Sequence, residues 1–285
     1  MGQLVFGVDI SPDGTKLAVA LGNNRIEVMD VELGTSADRL REHNDAVNDV
    51  EYSPDGIRMV SASDDENAIL WIHYDQWEID RELEDHSDPV NAATFSPDGT
   101  IIATASKDQG VALWSVETGK RLLSIKGHSQ SVNDVAFSPD GLTFATVSSD
   151  RSVKLWNVSD GSFVREFEGH QSSVNGVAFS PDGALLASAS DNEIRLWNVS
   201  DATTARVILG HDDRINVVLF TPDGATLISG SDDNTVRLWQ VSDGLPIQTL
   251  SQHTSAIKGL SITDDGKTFV VGSRDMSVSV WRFRD

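Results

Sequence analysis

Residues 127–156 read GHSQSVNDVAFSPDGLTFATVSSDRSVKLW, and the rest of the chain is a set of variations on this stretch. A Gly-His pair is followed by a short apolar run, the turn SPDG, two more short runs and a closing Trp. The runs are rich in β-branched and aromatic residues and are bounded by Gly, Pro, Asp and Ser, which is typical of short strands joined by tight turns. We therefore predict strands over 132–137, 143–147, 152–158 and 163–167 that form one four-stranded antiparallel meander.

The unit recurs along the whole chain with a nearly constant period. Its Trp returns at Trp71, Trp114, Trp156, Trp197, Trp239 and Trp281, and its His at His43, His86, His128, His170, His211 and His253. The turn SPDG starts at Ser11, Ser53, Ser96, Ser138 and Ser180, and returns as TPDG at Thr221 and TDDG at Thr263. One such sheet cannot bury both of its faces, so it must stack on its neighbours. Seven units predict an all-β fold, a seven-bladed β-propeller of four-stranded antiparallel blades.

A unit of this length, with Gly-His near its start and a strand that ends in Trp, resembles the WD40 family. The usual closing Trp-Asp is absent here, because each motif Trp is followed by Ile, Ser, Asn, Asn, Gln or Arg. The resemblance implies a single WD40-type propeller over residues 1–285. Its blades are expected to begin near Val5, Val47, Val90, Val132, Val174, Ile215 and Ile257. The regular units look like bacterial-style repeats, which in this family are often the sensor domain of a larger signalling protein.

The first and last units depart from the repeat. Unit one has Met29 in place of the Trp, Asn23 in place of the Asp, and no His. Only four residues follow Trp281, so we expect blade seven to lack its outer strand. Either the chain is a domain cut from a longer protein with further domains, or the edge near 277–280 is open. An open edge is a template for strand addition.

Composition limits the classes of partner. The net charge of −22 argues against nucleic-acid binding, which needs a basic surface. No apolar stretch approaches the ~18 residues of a membrane helix, so we predict no membrane insertion. The absence of Cys excludes a disulfide framework and fits a cytoplasmic location. Between Asp30 and Val90 there are 18 Asp and Glu against 4 Arg and no Lys. This segment is either a solvated face or a docking surface for a basic partner on blades one and two.

Ser or Thr, His and Asp recur together, which raises the possibility of a Ser-His-Asp hydrolase. A catalytic site would occur once and not in five units, so we interpret the sets as structural. In the WD40 family these side chains form a buried hydrogen-bonded network with the Trp. By this resemblance the complete sets are His43, Ser61, Asp65 and Trp71; His86, Thr104, Asp108 and Trp114; His128, Thr146, Asp150 and Trp156; His170, Ser188, Asp191 and Trp197; and His211, Ser229, Asp233 and Trp239. The choice of Ser61 over Ser63 rests on the family alone.

Unit seven has an incomplete set. It keeps His253, Asp275 and Trp281, but Val271 stands at the hydroxyl position. We expect it to be the least stable blade with a His, an Asp and a Trp. The His residues occur once per blade and do not converge, and no Gly-rich phosphate loop is present. We therefore predict no catalytic residue, no cofactor and no metal site.

The second residue of each inner strand is the candidate for partner binding. In the WD40 family this position surrounds the central channel on the face that carries the His and Asp loops. The candidates are Asn48, Asn91, Asn133, Asn175 and Asn216, then Lys258 in unit seven and Phe6 in unit one, with Arg214, Arg274, Lys107 and Asp64 on the same face. Arg214, Lys258 and Arg274 either form a basic spot beside Phe6 that suits an acidic peptide, or are scattered charges. The Asn residues either bind a ligand or cap a loop.

Trp77 is the only Trp outside the repeat, in the insertion HYDQWEID of unit two. It is either an exposed binding hot spot or packing against a blade edge, and we favour packing.

The favoured function is a non-enzymatic platform that binds a protein or peptide around the channel. One alternative is self-assembly through the edge of blade seven. The other is a small-molecule-binding or enzymatic propeller, which would need a single, non-repeated acidic or His cluster in the channel.

Overall fold

The computed structural model describes residues 2–283, which form seven antiparallel sheets around a central channel. Blade one contains β1 (Val5–Ile10), β2 (Lys16–Leu21), β3 (Arg25–Asp30) and β4 (Ser36–Leu40). Blade two contains β5 (Val47–Tyr52), β6 (Arg58–Ser63), β7 (Asn67–His73) and β8 (Trp77–Glu84). Blade three contains β9 (Val90–Phe95), β10 (Ile101–Ser106), β11 (Gly110–Ser115) and β12 (Arg121–Lys126). Blade four contains β13 (Val132–Phe137), β14 (Thr143–Ser148), β15 (Val153–Asn157) and β16 (Phe163–Phe167).

The remaining blades repeat this plan. Blade five contains β17 (Val174–Phe179), β18 (Leu185–Ser190), β19 (Glu193–Asn198) and β20 (Thr204–Leu209). Blade six contains β21 (Ile215–Phe220), β22 (Thr226–Ser231), β23 (Val236–Gln240) and β24 (Pro246–Leu250). Blade seven contains β25 (Ile257–Ile262), β26 (Thr268–Ser273) and β27 (Ser277–Arg282). The predicted seven-bladed, all-β propeller is confirmed, and so is the three-stranded last blade within the described residues.

Turn chemistry explains why each unit folds back on itself. In blade four the Ser138 hydroxyl donates to Asp140 at 2.6 Å, and the backbone N–H of Gly141 donates to the Ser138 carbonyl at 2.8 Å. Gly141 has φ +69°, a left-handed conformation that glycine adopts without a steric penalty. We call the end of the propeller with these turns the SPDG face. The opposite end carries the loops of the repeated His and Asp residues, and we call it the His–Asp face.

The core lies between adjacent blades. Seven clusters of buried apolar side chains fill the seven interfaces, one for each pair of neighbouring blades. Each sheet thus buries both of its faces, which a single four-stranded sheet cannot do alone. Across the interface between blades seven and one, Val5 and Val8 pack with Val270. A Cβ on Gly259 would lie 2.7 Å from the Val8 nitrogen, so glycine permits this close approach.

Candidate protein-binding face

A β-bulge sets the second residue of every inner strand apart from its neighbours. In blade four, Val132 pairs with Ser148 and Asp134 pairs with Val147, so Asn133 between them has no partner in the ladder. The same irregularity occurs in the other six blades at Phe6, Asn48, Asn91, Asn175, Asn216 and Lys258. Bulges re-aim a side chain out of the regular pleat. These seven side chains therefore line the mouth of the channel on the His–Asp face.

The five Asn side chains tie each blade to the next one. Each amide nitrogen donates to the carbonyl of the first residue of the next inner strand, at 2.7–3.1 Å. The pairs are Asn48 with Val90, Asn91 with Val132, Asn133 with Val174, Asn175 with Ile215, and Asn216 with Ile257. The Asn amides of blades two to six therefore donate to backbone carbonyls of blades three to seven.

This chain of amide contacts stops at blade seven, where Lys258 occupies the bulge. The Lys258 Nζ donates to Asn216 at 2.9 Å and to Asp232 at 2.8 Å. Arg214 bonds to the other oxygen of Asp232, at 2.8 and 3.0 Å. Burial lowers the pKa of Lys258, and its ion pair with Asp232 only partly offsets this effect. The positive charges of Arg274 and Arg214 lower the Lys258 pKa further, and Arg214 and Lys258 share the carboxylate of Asp232.

Blade one places an aromatic ring beside these cations. The guanidinium carbon of Arg274 lies 5.1 Å from the centre of the Phe6 ring, within the range of a cation–π contact. The ring centre, the two arginines and the lysine thus meet where blades six, seven and one adjoin the channel mouth. We call Phe6, Arg214, Lys258 and Arg274 the closure cluster.

The other two candidates on this face lie apart from the closure cluster. Asp64 accepts a hydrogen bond from the Asn48 amide at 2.8 Å in blade two. Lys107 is exposed in blade three, where its backbone N–H donates to the Pro89 carbonyl at 2.9 Å. The structure therefore brings four of the candidate residues together as a group and leaves Lys107 outside it.

Four carboxyl groups inside the channel were missed by the sequence analysis. Asp9, Asp49 and Asp134 each accept a hydrogen bond from a backbone N–H of the next blade, at 2.7–3.2 Å. Glu51 accepts from the backbone N–H of Phe95 at 2.9 Å. The sequence signal that could have identified them is an acidic residue at a channel-facing position of an inner strand that is otherwise apolar.

Burial governs the ionisation of these groups. Loss of hydration raises the pKa of Asp9 and of Asp134 to about 7, and that of Asp49 to about 6. Burial and the charge of Asp9 raise the pKa of Glu51 well above its usual range. Their mutual repulsion adds to the shift. The channel therefore carries carboxyl groups that titrate near neutral pH.

The repeated His residues form the network that the family resemblance implied. In blade four the His128 Nδ1 lies 3.1 Å from Asp150, and its Nε2 lies 2.7 Å from the Thr146 hydroxyl. The indole N–H of Trp156 donates to the same hydroxyl at 2.8 Å. Burial lowers the pKa of His128, which favours the neutral imidazole, with the Nδ1–H directed at the carboxylate and Nε2 accepting from the hydroxyl. Blades two, three and six have the same three contacts around His43, His86 and His211. In blade two the hydroxyl is that of Ser61, while Ser63 donates to the Asp45 and Ala46 carbonyls.

Blade five requires a correction, because Asp191 is not the partner of its His. The His170 Nδ1 lies 2.9 Å from the carboxylate of Glu193, and the Nε2 lies 2.6 Å from the Ser188 hydroxyl. The turn is one residue shorter here, and Ser190 pairs directly with Glu193. Asp191 lies in this tight turn at φ +49°. The longer Glu side chain reaches the imidazole from the first residue of β19.

Blade seven also requires a correction, because its network is complete. Val271 has no hydroxyl, but its cross-strand neighbour Ser279 supplies one from β27. The His253 Nε2 and the Trp281 indole nitrogen both lie 2.8 Å from the Ser279 Oγ. The premise behind the predicted weakness of this blade was therefore wrong.

Trp77 lies on the SPDG side of blade two and is partly buried against the cluster between blades one and two. Its ring centre lies 5.9 Å from that of Tyr52 and 5.0 Å from that of His73. Tyr74, in the same insertion, is exposed. Trp77 thus packs against its own blade and also lines a cavity.

Two other features bear on function. Among residues 2–283 no three His, Asp or Glu side chains are arranged to hold a metal ion. No helix in this part of the chain is long and apolar enough to cross a membrane.

Comparison with known families supports the architecture. The family model described as the IFT122 first beta-propeller matches residues 89–234, which is about half of the chain. The model described as WD domain, G-beta repeat, matches residues 34–71 and 244–282. These matches fall on several different blades, so the repeat is recognised along most of the ring.

Three curated relatives show the extent of the similarity. The chain is 42% identical over 69 residues to the intraflagellar transport protein 122 homolog of Xenopus tropicalis, and 41% identical over 69 residues to that of Mus musculus. It is 42% identical over 60 residues to WD repeat and SOCS box-containing protein 1 of Takifugu rubripes. The matches cover 24%, 24% and 21% of this chain, but only 6%, 6% and 14% of those proteins. With seven antiparallel blades and a family match over half of its length, the chain belongs to the WD40-repeat β-propeller family, in the group described by the IFT122 first beta-propeller.

Proposed function

We propose that this chain is a non-enzymatic interaction platform that binds a protein or peptide on the His–Asp face, around the channel. WD40 propellers are protein-interaction scaffolds, and membership of the family supports this general role. The more specific proposal concerns the location of the site. It is the closure cluster, which would hold an acidic segment of the partner that carries an apolar residue.

The observation that carries this proposal is the break in the chain of Asn contacts. In blades two to six each bulge Asn is bonded to the next blade, whereas Lys258 of blade seven bonds back to blade six and Phe6 of blade one contacts Arg274 at the mouth. Arg214 and Lys258 share the carboxylate of Asp232, and among residues 2–283 Arg274 forms no ion pair. This local excess of positive charge on a protein of net charge −22 favours an acidic ligand.

The repeated His residues support the absence of an enzymatic role. In blades two to seven both ring nitrogens are engaged by a carboxylate and a hydroxyl. A catalytic triad has the same hydrogen-bond pattern, but in blades two to six the hydroxyls are fully buried and each also accepts an indole N–H, so a substrate cannot reach them. We therefore propose no catalytic residue and no cofactor, and we keep the cytoplasmic location as part of the proposal.

Binding of a defined set of acidic peptides tests the location of the site. Each peptide has glutamates on both sides of one central apolar residue, and its affinity is measured by calorimetry in about 150 mM salt. We expect Arg274→Glu and Lys258→Gln to weaken the best peptide by about tenfold or more, since each 1.4 kcal/mol is a factor of ten. Lys267→Glu changes an exposed Lys of the same blade on the SPDG face and is the matched control. No binding by the wild type, or equal weakening by the control, would contradict the proposal.

A second candidate function is self-association through β27. Within residues 2–283 this strand pairs only with β26, and it is the third strand of its sheet. Trp281 is partly buried, whereas its counterparts in blades two to six are buried. A strand from another chain would extend the sheet and cover this side chain.

Sedimentation equilibrium between about 1 and 100 μM distinguishes this candidate. Self-association through β27 predicts a concentration-dependent mass that Val280→Lys abolishes, because a charge on an edge strand opposes strand addition. Val207→Lys is the control, since Val207 is similarly exposed on the outer strand of blade five. A monomer at every concentration excludes this candidate.

A further inference from the structure

A cavity of about 360 Å³ lies between blades one and two on the SPDG face, remote from the closure cluster. Its walls include the rings of Tyr52 and Trp77 and the side chain of Val28. The cavity is also lined by Lys16 and Asp38 from blade one and by His73 from blade two. The site therefore depends on two adjacent blades, both of which depart from the repeat.

The cavity is built from departures that other blades do not share. Tyr52 stands before its SPDG turn where blades three to six have Phe95, Phe137, Phe179 and Phe220. Trp77 comes from the insertion between β7 and β8, and it pairs with His73 at the end of the extended hairpin. The two aromatic rings stand 5.9 Å apart with 59° between their planes, so they form two walls at an angle.

The Tyr52 hydroxyl at this site has no partner. Tyr52 is 5% exposed, and its Oη, fully buried, makes no hydrogen bond within the described chain. Burial raises the pKa of Tyr52 far above its usual range, and the charges of Asp9, Asp13 and Asp38 add to this, so the group stays protonated. A buried hydroxyl normally finds a partner, and one without a partner is destabilising. The four phenylalanines at this position show that the fold does not need the hydroxyl.

The cavity also contains a carboxylate that is not engaged. Asp38 on β4 lines the cavity and is partly buried, and among residues 2–283 it forms no side-chain hydrogen bond or ion pair. The other two carboxylates in the lining hold turns: Asp13 accepts from Ser11, and Asp55 accepts from Ser53. The one ammonium group, that of Lys16, is paired with Asp30 at 3.1 Å. The potential in the cavity is therefore negative.

We propose that this cavity binds a basic segment of a partner protein through one cationic side chain, preferably an arginine. The guanidinium lies against the faces of Trp77 and Tyr52 and donates to the Asp38 carboxylate. A small displacement of the Tyr52 side chain on binding opens its buried Oη to the cavity, where the guanidinium donates to it as well. One group thus satisfies the unpaired carboxylate and the unpaired hydroxyl, and it makes cation–π contacts. The planar fork of arginine suits this combination of stacking and hydrogen bonding better than the ammonium of lysine.

Charge complementarity favours this ligand over the alternatives. Residues 30–90, which make up much of blades one and two, carry 18 acidic side chains against 4 Arg. An anionic ligand would meet Asp13, Asp38 and Asp55 at close range. A neutral apolar group would cover Asp38 and the Tyr52 hydroxyl without pairing either of them, which is unfavourable. The site lies on the opposite face from the closure cluster and does not depend on the function proposed there.

The test uses the full chain and a peptide in which arginines alternate with glycines. Three peptides are compared by calorimetry in about 150 mM salt: the arginine form, the lysine form and the form with citrulline, which has the same shape without the charge. We expect the arginine form to bind best and the citrulline form to bind at least about tenfold more weakly. Equal affinity of the arginine and citrulline forms would overturn the proposal.

Three variants locate the binding. Asp38→Asn is expected to weaken the arginine peptide by about tenfold or more, because it removes the carboxylate that pairs with the cation. Asp88→Asn removes the same charge from an exposed loop of the acidic segment on the His–Asp face and is the matched control. Equal weakening by both variants would show that the peptide is held only by non-specific electrostatic attraction to the acidic surface, and it would overturn the proposal.

Tyr52→Phe restores the residue of the other blades and so should fold. It is expected to weaken the arginine peptide by several-fold while it leaves the melting temperature unchanged or higher, because an unpaired buried hydroxyl is removed. Peptide affinity unchanged in this variant would show that the hydroxyl does not contact the guanidinium, and the proposed contact would be wrong. Selective labelling with 5-fluorotryptophan gives a second measurement, since the Trp77 signal should shift on binding and that of Trp239 should not.

Discussion

At the scale of single residues, each repeated side chain has a defined partner. The His of a blade joins a carboxylate on one loop to a hydroxyl on the second strand, and the indole N–H of the Trp meets the same hydroxyl. The Asn of the bulge reaches the next blade. Because buried polar groups that all find partners rigidify a core, these residues fix the blades and their spacing. The residues available to a ligand are those that depart from the pattern.

The network should be measurable through Asp150. Its pKa is lowered, because hydrogen bonds from Ser152 and from the Ser129 backbone outweigh its burial. We expect Asp150→Ala to reduce the free energy of unfolding by about 1–3 kcal/mol, since it removes the carboxylate that accepts hydrogen bonds from His128, Ser129 and Ser152. Urea unfolding followed by Trp fluorescence measures this change. Glu168→Ala, at an exposed position of the same blade, should stay within about 0.5 kcal/mol and serves as the control. Equal stability of Asp150→Ala and the wild type would contradict the role of the network.

At the scale of secondary-structure elements, strand register decides which residue serves which role. Spacing to the Trp selected Asp191, yet the shorter turn between β18 and β19 places Glu193 against His170. In blade seven the hydroxyl moves from the second strand to Ser279 on the third, because cross-strand neighbours point to the same side of a sheet. The network is therefore conserved in geometry between blades while its residues change. A sequence pattern alone assigns such roles only where the turn lengths are equal.

Blade five gives a direct test of this substitution of roles. Glu193 bonds to both His170 and Arg195, at 2.9 and 2.8 Å. We expect Glu193→Ala to destabilise the protein by about 1–3 kcal/mol, because it leaves a buried His without its acceptor. Asp191→Asn should change stability by less than about 0.5 kcal/mol, since Asn tolerates positive φ and Asp191 is outside the network. Thermal and urea unfolding of the two variants measure the difference. A larger loss of stability for Asp191→Asn than for Glu193→Ala would favour Asp191 as the partner of His170, as the spacing to the Trp predicted.

At the scale of the whole molecule, the ring gathers like groups that are far apart in the sequence. The channel combines Asp9, Asp49, Glu51 and Asp134 from three blades, and their burial and repulsion raise their pKa values. The mouth on the His–Asp face gathers the closure cluster, while the cavity between blades one and two faces the opposite side. One acidic protein thus presents a basic spot on one face and a negative cavity on the other.

The channel carboxyl groups should make stability depend on pH. The pKa of Asp134 is about 7 in the folded state, above its value of 3.8 in the unfolded chain. Its contribution to stability is therefore full below about pH 4 and is lost as the pH rises through about 7. His residues with a lowered pKa, such as His170 at about 4, act in the opposite sense at acidic pH. The comparison must therefore be between variants and not between pH values alone.

We expect the difference in Tm between the wild type and Asp134→Asn to become less favourable to the wild type from pH 5 to pH 8. The absolute difference also contains the lost hydrogen bond to Val177, so the change with pH is the informative quantity. Asp140→Asn lies on an exposed turn of the same blade, and the pKa of Asp140 is lowered. Its difference from the wild type should stay constant over this range. A constant difference for Asp134→Asn would show that Asp134 does not titrate there.

The sequence by itself determined the class of fold and the number of blades. A period repeated seven times, with tight turns at fixed positions, leaves radial stacking as the way to bury both faces of every sheet. It also indicated which residues lie on the His–Asp face, because they share one position in the repeat. The tertiary structure decided what those residues do. It showed that the Asn amides bind the next blade, that Glu193 replaces Asp191, and that Tyr52 and Asp38 meet in one cavity. These contacts join residues of different blades or depend on how a shortened turn repositions the side chains, and the repeat pattern specifies neither.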